Sequence, residues 1–329
     1  MGKESFAGLV VRVILVLACS ITGPGAALLS NAADMLPLRY QPTMIALGFP
    51  SPLLRATVRG QSVWFIVDTG ASVNTLAAWL VSAARLEPRQ TTATATGSTG
   101  VEKSVRVVAN EMIQLDGGRD LTLREAIVVE FPPVFAEQRI GGLLSPQLLA
   151  PGHLASVLDL RVPTLRFEPF EIAVARLGRN RPLISSGSRV CRNAESPFAN
   201  RQYAASVTAD GITGTVLVDT GATSTLAAPG SRIAAALTDR ASESGRTHGV
   251  GGGVQTMRKA PNVRFERGGA ASTIAVTIGG ATPSCGPDGL IGMDALRQCI
   301  LVLGESAFAW SCQAESRVGP ALGQRPGSP

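Results

Sequence analysis

Short apolar runs of four to eight residues, broken by Gly, Pro, Asn and Asp, set the rhythm of this chain. Two of them, "VWFIV" from Val63 and "TVLV" from Thr215, each follow a turn and a further run of the same kind, "LLRATVRGQS" and "YAASVTADGITG". Helical periodicity is confined to brief stretches such as "LAAWLVSAARL" from Leu76. This pattern predicts an all-β protein.

Both runs end on an acid, Asp68 and Asp219. A carboxylate beside so much apolar surface must be paired, hydrogen-bonded or protonated, because burying it alone costs several kcal/mol or more. The segment "VDTGASVNTLAA" from Val67 returns as "VDTGATSTLAAP" from Val218, so the two aspartates lie 151 residues apart. Downstream, "GGLLSPQLL" from Gly141 parallels "DGLIGMDAL" from Asp288, and each precedes a strand-like run, "SVLDLRVPTLRF" and "CILVLGESAFAW". The chain therefore reads as two copies of one β-rich unit, at 39–169 and 201–312. Residues 170–200, rich in Arg, Ser, Asn, Gly and Pro, read as a linker, and 313–329 as a disordered tail. Ser145 stands where the second copy has Gly292, and Gly141 where it has Asp288, so the copies are expected to differ in local packing.

The first 33 residues have the order of a secretory signal: Lys3, then the apolar "VILVLACSIT" from Val13, then small residues ending "SNAAD". The apolar stretch is too short to favour a membrane span. Membrane attachment is expected only through an uncleaved signal anchor or a lipid at Cys19. Four cysteines remain after the signal, which allows two disulfides in three connectivities. The favoured pairing is Cys285–Cys299 with Cys191–Cys312. With His153 and His248 as the only histidines and no CxxC pair, neither a zinc site nor a His-based triad has support. A content of 45% hydrophobic and 16% charged residues argues against disorder for most of the chain. The net charge of +6 is scattered, with no basic cluster interleaved with aromatics, so no nucleic-acid partner is expected.

Asp68-Thr69-Gly70-Ala71-Ser72 and Asp219-Thr220-Gly221-Ala222-Thr223, with Leu143-Leu144 and Leu290-Ile291-Gly292 downstream, resemble the retropepsin-like aspartic peptidases, in an exported, bacterial form that fuses two lobes in one chain. The resemblance implies a bilobal acid-protease fold, two β-barrel lobes with a cleft between them, acting as a monomer without cofactor or metal. It makes Asp68 and Asp219 the catalytic pair, sharing one proton as the dyad of aspartic proteases is known to do. By the same resemblance Thr69 and Thr220 bond across to the opposite loop, Gly70 and Gly221 allow close approach, and Ser72 and Thr223 bond the outer carboxylate oxygens. Flap hairpins are expected at "ATGSTGVEKS", with Gly97 and Gly100, and at "THGVGGGVQT", with Gly249 and Gly251; neither carries a Tyr. The function implied is an aspartic endopeptidase acting on a peptide or protein substrate in the periplasm or outside the cell. The alternatives are a catalytically silent peptide-binding module of the same fold and a processing protease for one dedicated partner.

Overall fold

The computed structural model describes residues 35–96, 102–179, 187–192, 201–248 and 254–314. The signal segment 1–33 with Cys19, the glycines Gly97, Gly100, Gly249 and Gly251, and the tail beyond residue 314 lie outside the described residues.

The first apolar runs fold as a hairpin, Leu53–Val58 with Gln61–Val67, and their equivalents as Arg201–Ala209 with Ile212–Val218. Two-residue turns close both, Arg59-Gly60 and Asp210-Gly211, with all four residues at positive φ. That backbone matches the right-handed twist of the flanking strands, and Gly adopts it without a Cβ clash. Beyond each hairpin the order of elements is the same. A loop leads to a short strand, Asn74–Ala77 or Leu226–Ala227, and then to long antiparallel strands, Glu102–Leu115 with Arg119–Val129 or Val254–Arg267 with Ala270–Ile278. A final strand, Ile140–Leu144 or Gly289–Ile291, then pairs in parallel with the second strand of the hairpin. The protein is thus all-β and two-lobed. Strand Arg201–Ala209 pairs with both Ile212–Val218 and Val254–Arg267, which curls its sheet toward a barrel.

A third sheet joins the lobes. Its order runs Met35–Pro37, Thr164–Glu168, Ala155–Asp159, Cys299–Leu303 and Phe308–Cys312. At its centre the closing strand of one lobe pairs with that of the other, Leu158 opposite Leu301 and Val157 opposite Val302. Alternate residues serve opposite faces. Leu158, Leu301 and Leu303 point into the main core with Trp310, whereas Ala155, Val157, Ile300 and Val302 meet the helix Phe170–Gly178. Burial on both faces explains why Cys299–Leu303 reads as an unbroken apolar run.

Segment 170–200, expected to be a linker, is structured where it is described. Phe170, Ala173, Val174 and Leu177 follow i, i+3, i+4, i+7 spacing and pack one helical face on the joining sheet. Strand Arg189–Arg192 adds an edge to the second sheet. The polar residues after Gly178 hid the helix before them.

The disulfides differ from the expected pairing: they are Cys191–Cys285 and Cys299–Cys312. Cys299 and Cys312 face each other across the last hairpin, and no spacing rule reveals that register. Cys191 sits on the added edge strand, an element the linker reading did not contain. Sequence separations of 94 and 13 residues imply that losing the first costs roughly 4–5 kcal/mol and the second about 3 kcal/mol, on a chain-entropy basis. Peptide mapping without reduction should recover 191–285 and 299–312 as linked pairs. Recovery of a 285–299 link would contradict this topology.

Candidate active site

Each Asp-Thr-Gly loop leaves the end of a hairpin strand where the parallel final strand holds it. Asp68 N–H donates to Leu144 O at 2.9 Å and Asp219 N–H to Ile291 O at 3.1 Å. Val67, Val218, Leu144 and Ile291 are all fully buried, so the two loops rise from the apolar floor of their lobes.

The loops meet and exchange bonds. Thr69 N–H donates to Thr220 Oγ1 (3.0 Å) and Thr220 N–H to Thr69 Oγ1 (3.1 Å). Each hydroxyl donates onward to the carbonyl before the opposite aspartate, Thr69 Oγ1 to Val218 O (2.7 Å) and Thr220 Oγ1 to Val67 O (2.6 Å). Both threonines are 0% exposed, so these four bonds satisfy groups that water cannot reach. Above this grip the carboxyl groups of Asp68 and Asp219 face each other, each lying against the glycine of the opposite loop. A Cβ on Gly70 would collide with the Asp219 carboxylate, and one on Gly221 with that of Asp68. Only glycine lets each loop pass beneath the other's acid.

Backbone amides, not the expected hydroxyls, hold the carboxylates. Asp68 Oδ1 accepts from Gly70 N–H (2.8 Å) and Ala71 N–H (3.0 Å), and Asp219 Oδ1 from Gly221 N–H (2.9 Å) and Ala222 N–H (3.0 Å). Thr223 Oγ1 turns away and donates to Gly48 O (2.5 Å). No bond links Ser72 to Asp68 among the described residues. The amides are nearer because a loop curling round its own carboxylate presents consecutive N–H groups to it, leaving the fourth residue beyond reach.

Burial raises the pKa of Asp68, and the bonds from Asp219 and the backbone amides work against that rise. Asp219 is pushed well above the usual carboxylate range, first by burial and then by the facing Asp68 charge. Two carboxyls in contact cannot both ionise cheaply, so the pair retains a proton where isolated aspartates have lost theirs.

Other residues at the site were not singled out from the sequence. Gln147, 1% exposed, sends Nε2 to Thr69 O (3.3 Å), Ala71 O (3.0 Å) and Arg201 O (2.8 Å). Gln202 Nε2 reaches Gly70 O (2.5 Å), and Ser51 Oγ reaches Gly221 O (3.4 Å) from the other lobe. The signal for Gln147 was a polar residue inside an apolar run, "LLSPQLL", whereas Gln202, after Asn200 and Arg201, carried none of that kind. The difference at Ser145 and Gly292 is local, as expected. In the second lobe Met293 N–H donates to Ala222 O, but Pro146 has no N–H to offer Ala71 O. Ser145 Oγ (2.8 Å) and Gln147 Nε2 take its place. Asn74 Oδ1 accepts Ser145 N–H as Thr225 Oγ1 accepts that of Gly292, so Asn74, not Thr75, is the counterpart of Thr225. Asp294, at the Gln147 position, binds Thr225, and burial raises its pKa.

The family model described as "Aspartyl protease" matches residues 54–148, which spans the first loop and its supporting strand. A solved structure, basic 7S globulin from soybean, aligns at 11% identity and a TM-score of 0.45, covering 84% of this chain and 94% of that one. A search of curated proteins finds no match.

Two outcomes follow from the geometry. Thr220→Val strands Thr69 N–H and Val67 O in a buried place, and should lower stability by roughly 2–5 kcal/mol in denaturant unfolding. The second concerns acid. An unfolded Asp titrates at about 3.9, so a folded state that holds its proton to higher pH gains stability as pH falls toward that value and loses it as pH rises through the folded pKa. Wild type should therefore gain on Asp219→Asn, in melting temperature, as pH is lowered from neutral to about 4. Parallel curves would show that Asp219 titrates normally.

Proposed function

We propose that this chain, whose residues 54–148 match the aspartyl protease family model, is an exported aspartic endopeptidase that hydrolyses peptide bonds with Asp68 and Asp219. The observation that carries the reading is the cross-bonded pair of Asp-Thr-Gly loops, which puts two buried carboxyl groups face to face and raises the pKa of Asp219.

The chemistry follows from one proton shared by the pair. One carboxylate takes a proton from a water molecule as its oxygen bonds the scissile carbonyl carbon. The partner carboxyl gives its proton to the carbonyl oxygen, leaving a neutral gem-diol. Collapse returns a hydroxyl proton to one carboxylate while the amide nitrogen leaves with the proton from the other, so the pair ends with the single proton it began with. No covalent intermediate is needed, and Thr69, Thr220, Gly70 and Gly221 keep the two acids in register. Two disulfides fit an oxidising compartment, in keeping with export. No helix among the described residues is long and apolar enough to cross a membrane.

Cleavage of a diverse peptide mixture between acid and neutral pH, followed by mass spectrometry, tests the reading. Asp68→Asn and Asp219→Asn should each lower kcat/KM by at least about 10²–10⁴-fold, the usual range for a positioned acid or base. Retention of cleavage by either variant, or no cleavage by the folded wild type at any pH, would overturn the proposal.

A further inference from the structure

The two loops share their first four residues, yet the peptide groups that feed their carboxylates are held differently. Asp68 Oδ1 accepts from the N–H groups of Gly70 and Ala71. The carbonyl of the second of those peptide groups is Gly70 O, which accepts a short bond from Gln202 Nε2 (2.5 Å), and that of the first is Thr69 O, which accepts a long one (3.3 Å) from Gln147 Nε2, whose two hydrogens also serve Ala71 O and Arg201 O. Each chain runs amide, carbonyl, N–H, carboxylate. A donor on the carbonyl end polarises the peptide and strengthens its N–H as a donor, by about 10–30% per bond.

On the other side the arrangement is thinner. Gly221 O receives only the Ser51 hydroxyl, at 3.4 Å, and among the described residues no side chain donates to Thr220 O. Ser51 and Gln202 hold equivalent positions, 151 residues apart, so this is one site filled by a weak donor in one lobe and a strong one in the other. Gln147 stands where the second lobe has Asp294, an acid committed to Thr225.

We propose that Gln147 and Gln202 are positioning residues which, through two peptide relays, make Asp68 the partner that carries the negative charge, so that Asp68 is the base toward water and Asp219 the acid toward the carbonyl oxygen. Neither glutamine touches the reacting atoms; both act through the loop. Their own anchorage is mutual: Gln147 Nε2 also holds Arg201 O, the carbonyl of the peptide whose N–H belongs to Gln202, and Arg201 Nη2 returns a bond to Gln147 O at 3.0 Å. The charged groups on the elements packed here are few. Each aspartate faces the other, Asp294 is bonded to Thr225, and the Arg201 guanidinium is turned to Gln147 O.

This rests on the peptidase reading, and the test separates the two. With a peptide that wild type cleaves, kcat/KM is measured against pH for wild type, Gln202→Met, Gln147→Met and Ser51→Ala; Met keeps the length of Gln without its donor. The acidic limb reports ionisation of the base in the free enzyme. It should move up by about half a pH unit in Gln202→Met, by less in Gln147→Met, and stay in place in Ser51→Ala. An unmoved limb in Gln202→Met, with loss confined to KM or to melting temperature, would overturn the proposal, as would an equal shift in Ser51→Ala. Should Gln147→Met fail to fold, Gln202→Met carries the test alone. If wild type cleaves nothing, the peptidase reading falls, and the melting temperature against pH still decides the relay. A higher Asp68 pKa gives Gln202→Met a larger gain on acidification than wild type, whereas parallel curves count against it.

Discussion

The four hydrogen bonds that Thr69 and Thr220 make across to each other's loop are the constraint from which the rest of the site follows. Each hydroxyl both accepts and donates, so neither loop is satisfied alone. Separating the lobes at this point would bare two N–H groups and two carbonyls inside an apolar floor, each at roughly 1–3 kcal/mol. The grip therefore fixes the distance between strands that carry the acids, and the acids must meet. That forced meeting, with burial, is what holds a proton on the pair.

The joining sheet makes the same demand from below. Strands Ala155–Asp159 and Cys299–Leu303 are buried on both faces, one against the main core and one against the helix Phe170–Gly178. The lobes are thus tied at two levels, by backbone pairing at the base and by side-chain hydroxyls at the cleft. Large hinge motions between lobes would have to break one level or the other.

The two-lobed β architecture and the identity of the facing acids were legible in the order of residues alone, because the duplicated motif, the apolar runs and the turn residues are local patterns repeated in register. What stayed hidden depended on pairing between distant strands. The facing of Cys299 and Cys312, the docking of Phe170, Ala173 and Leu177, and the reach of Gln202 to Gly70 O are all set by register across elements. Letters also misled in one place. Thr-Leu-Ala-Ala follows both motifs, yet the N–H just past the final strand is accepted by Asn74 in one lobe and by Thr225 in the other, while Thr75 Oγ1 accepts that of Leu143 within the strand. Matching letters one residue out of step face opposite sides of a strand.

The asymmetry of the site has a physical route. A proline at position 146 suits the first turn of the helix that follows it, but it removes the N–H that would serve Ala71 O. A buried carbonyl without a donor is costly, and Ser145 and Gln147 supply two. A side-chain amide is longer than a backbone N–H and has a second hydrogen to place. It extends to Thr69 O and across the lobe boundary to Arg201 O, where a repair to one loop becomes a contact between lobes. The second lobe, with Met293 N–H still in place, had no such vacancy to fill, and Asp294 serves Thr225 instead. Two loops that read alike thus have unequal surroundings, in part because one backbone hydrogen is missing beneath one of them.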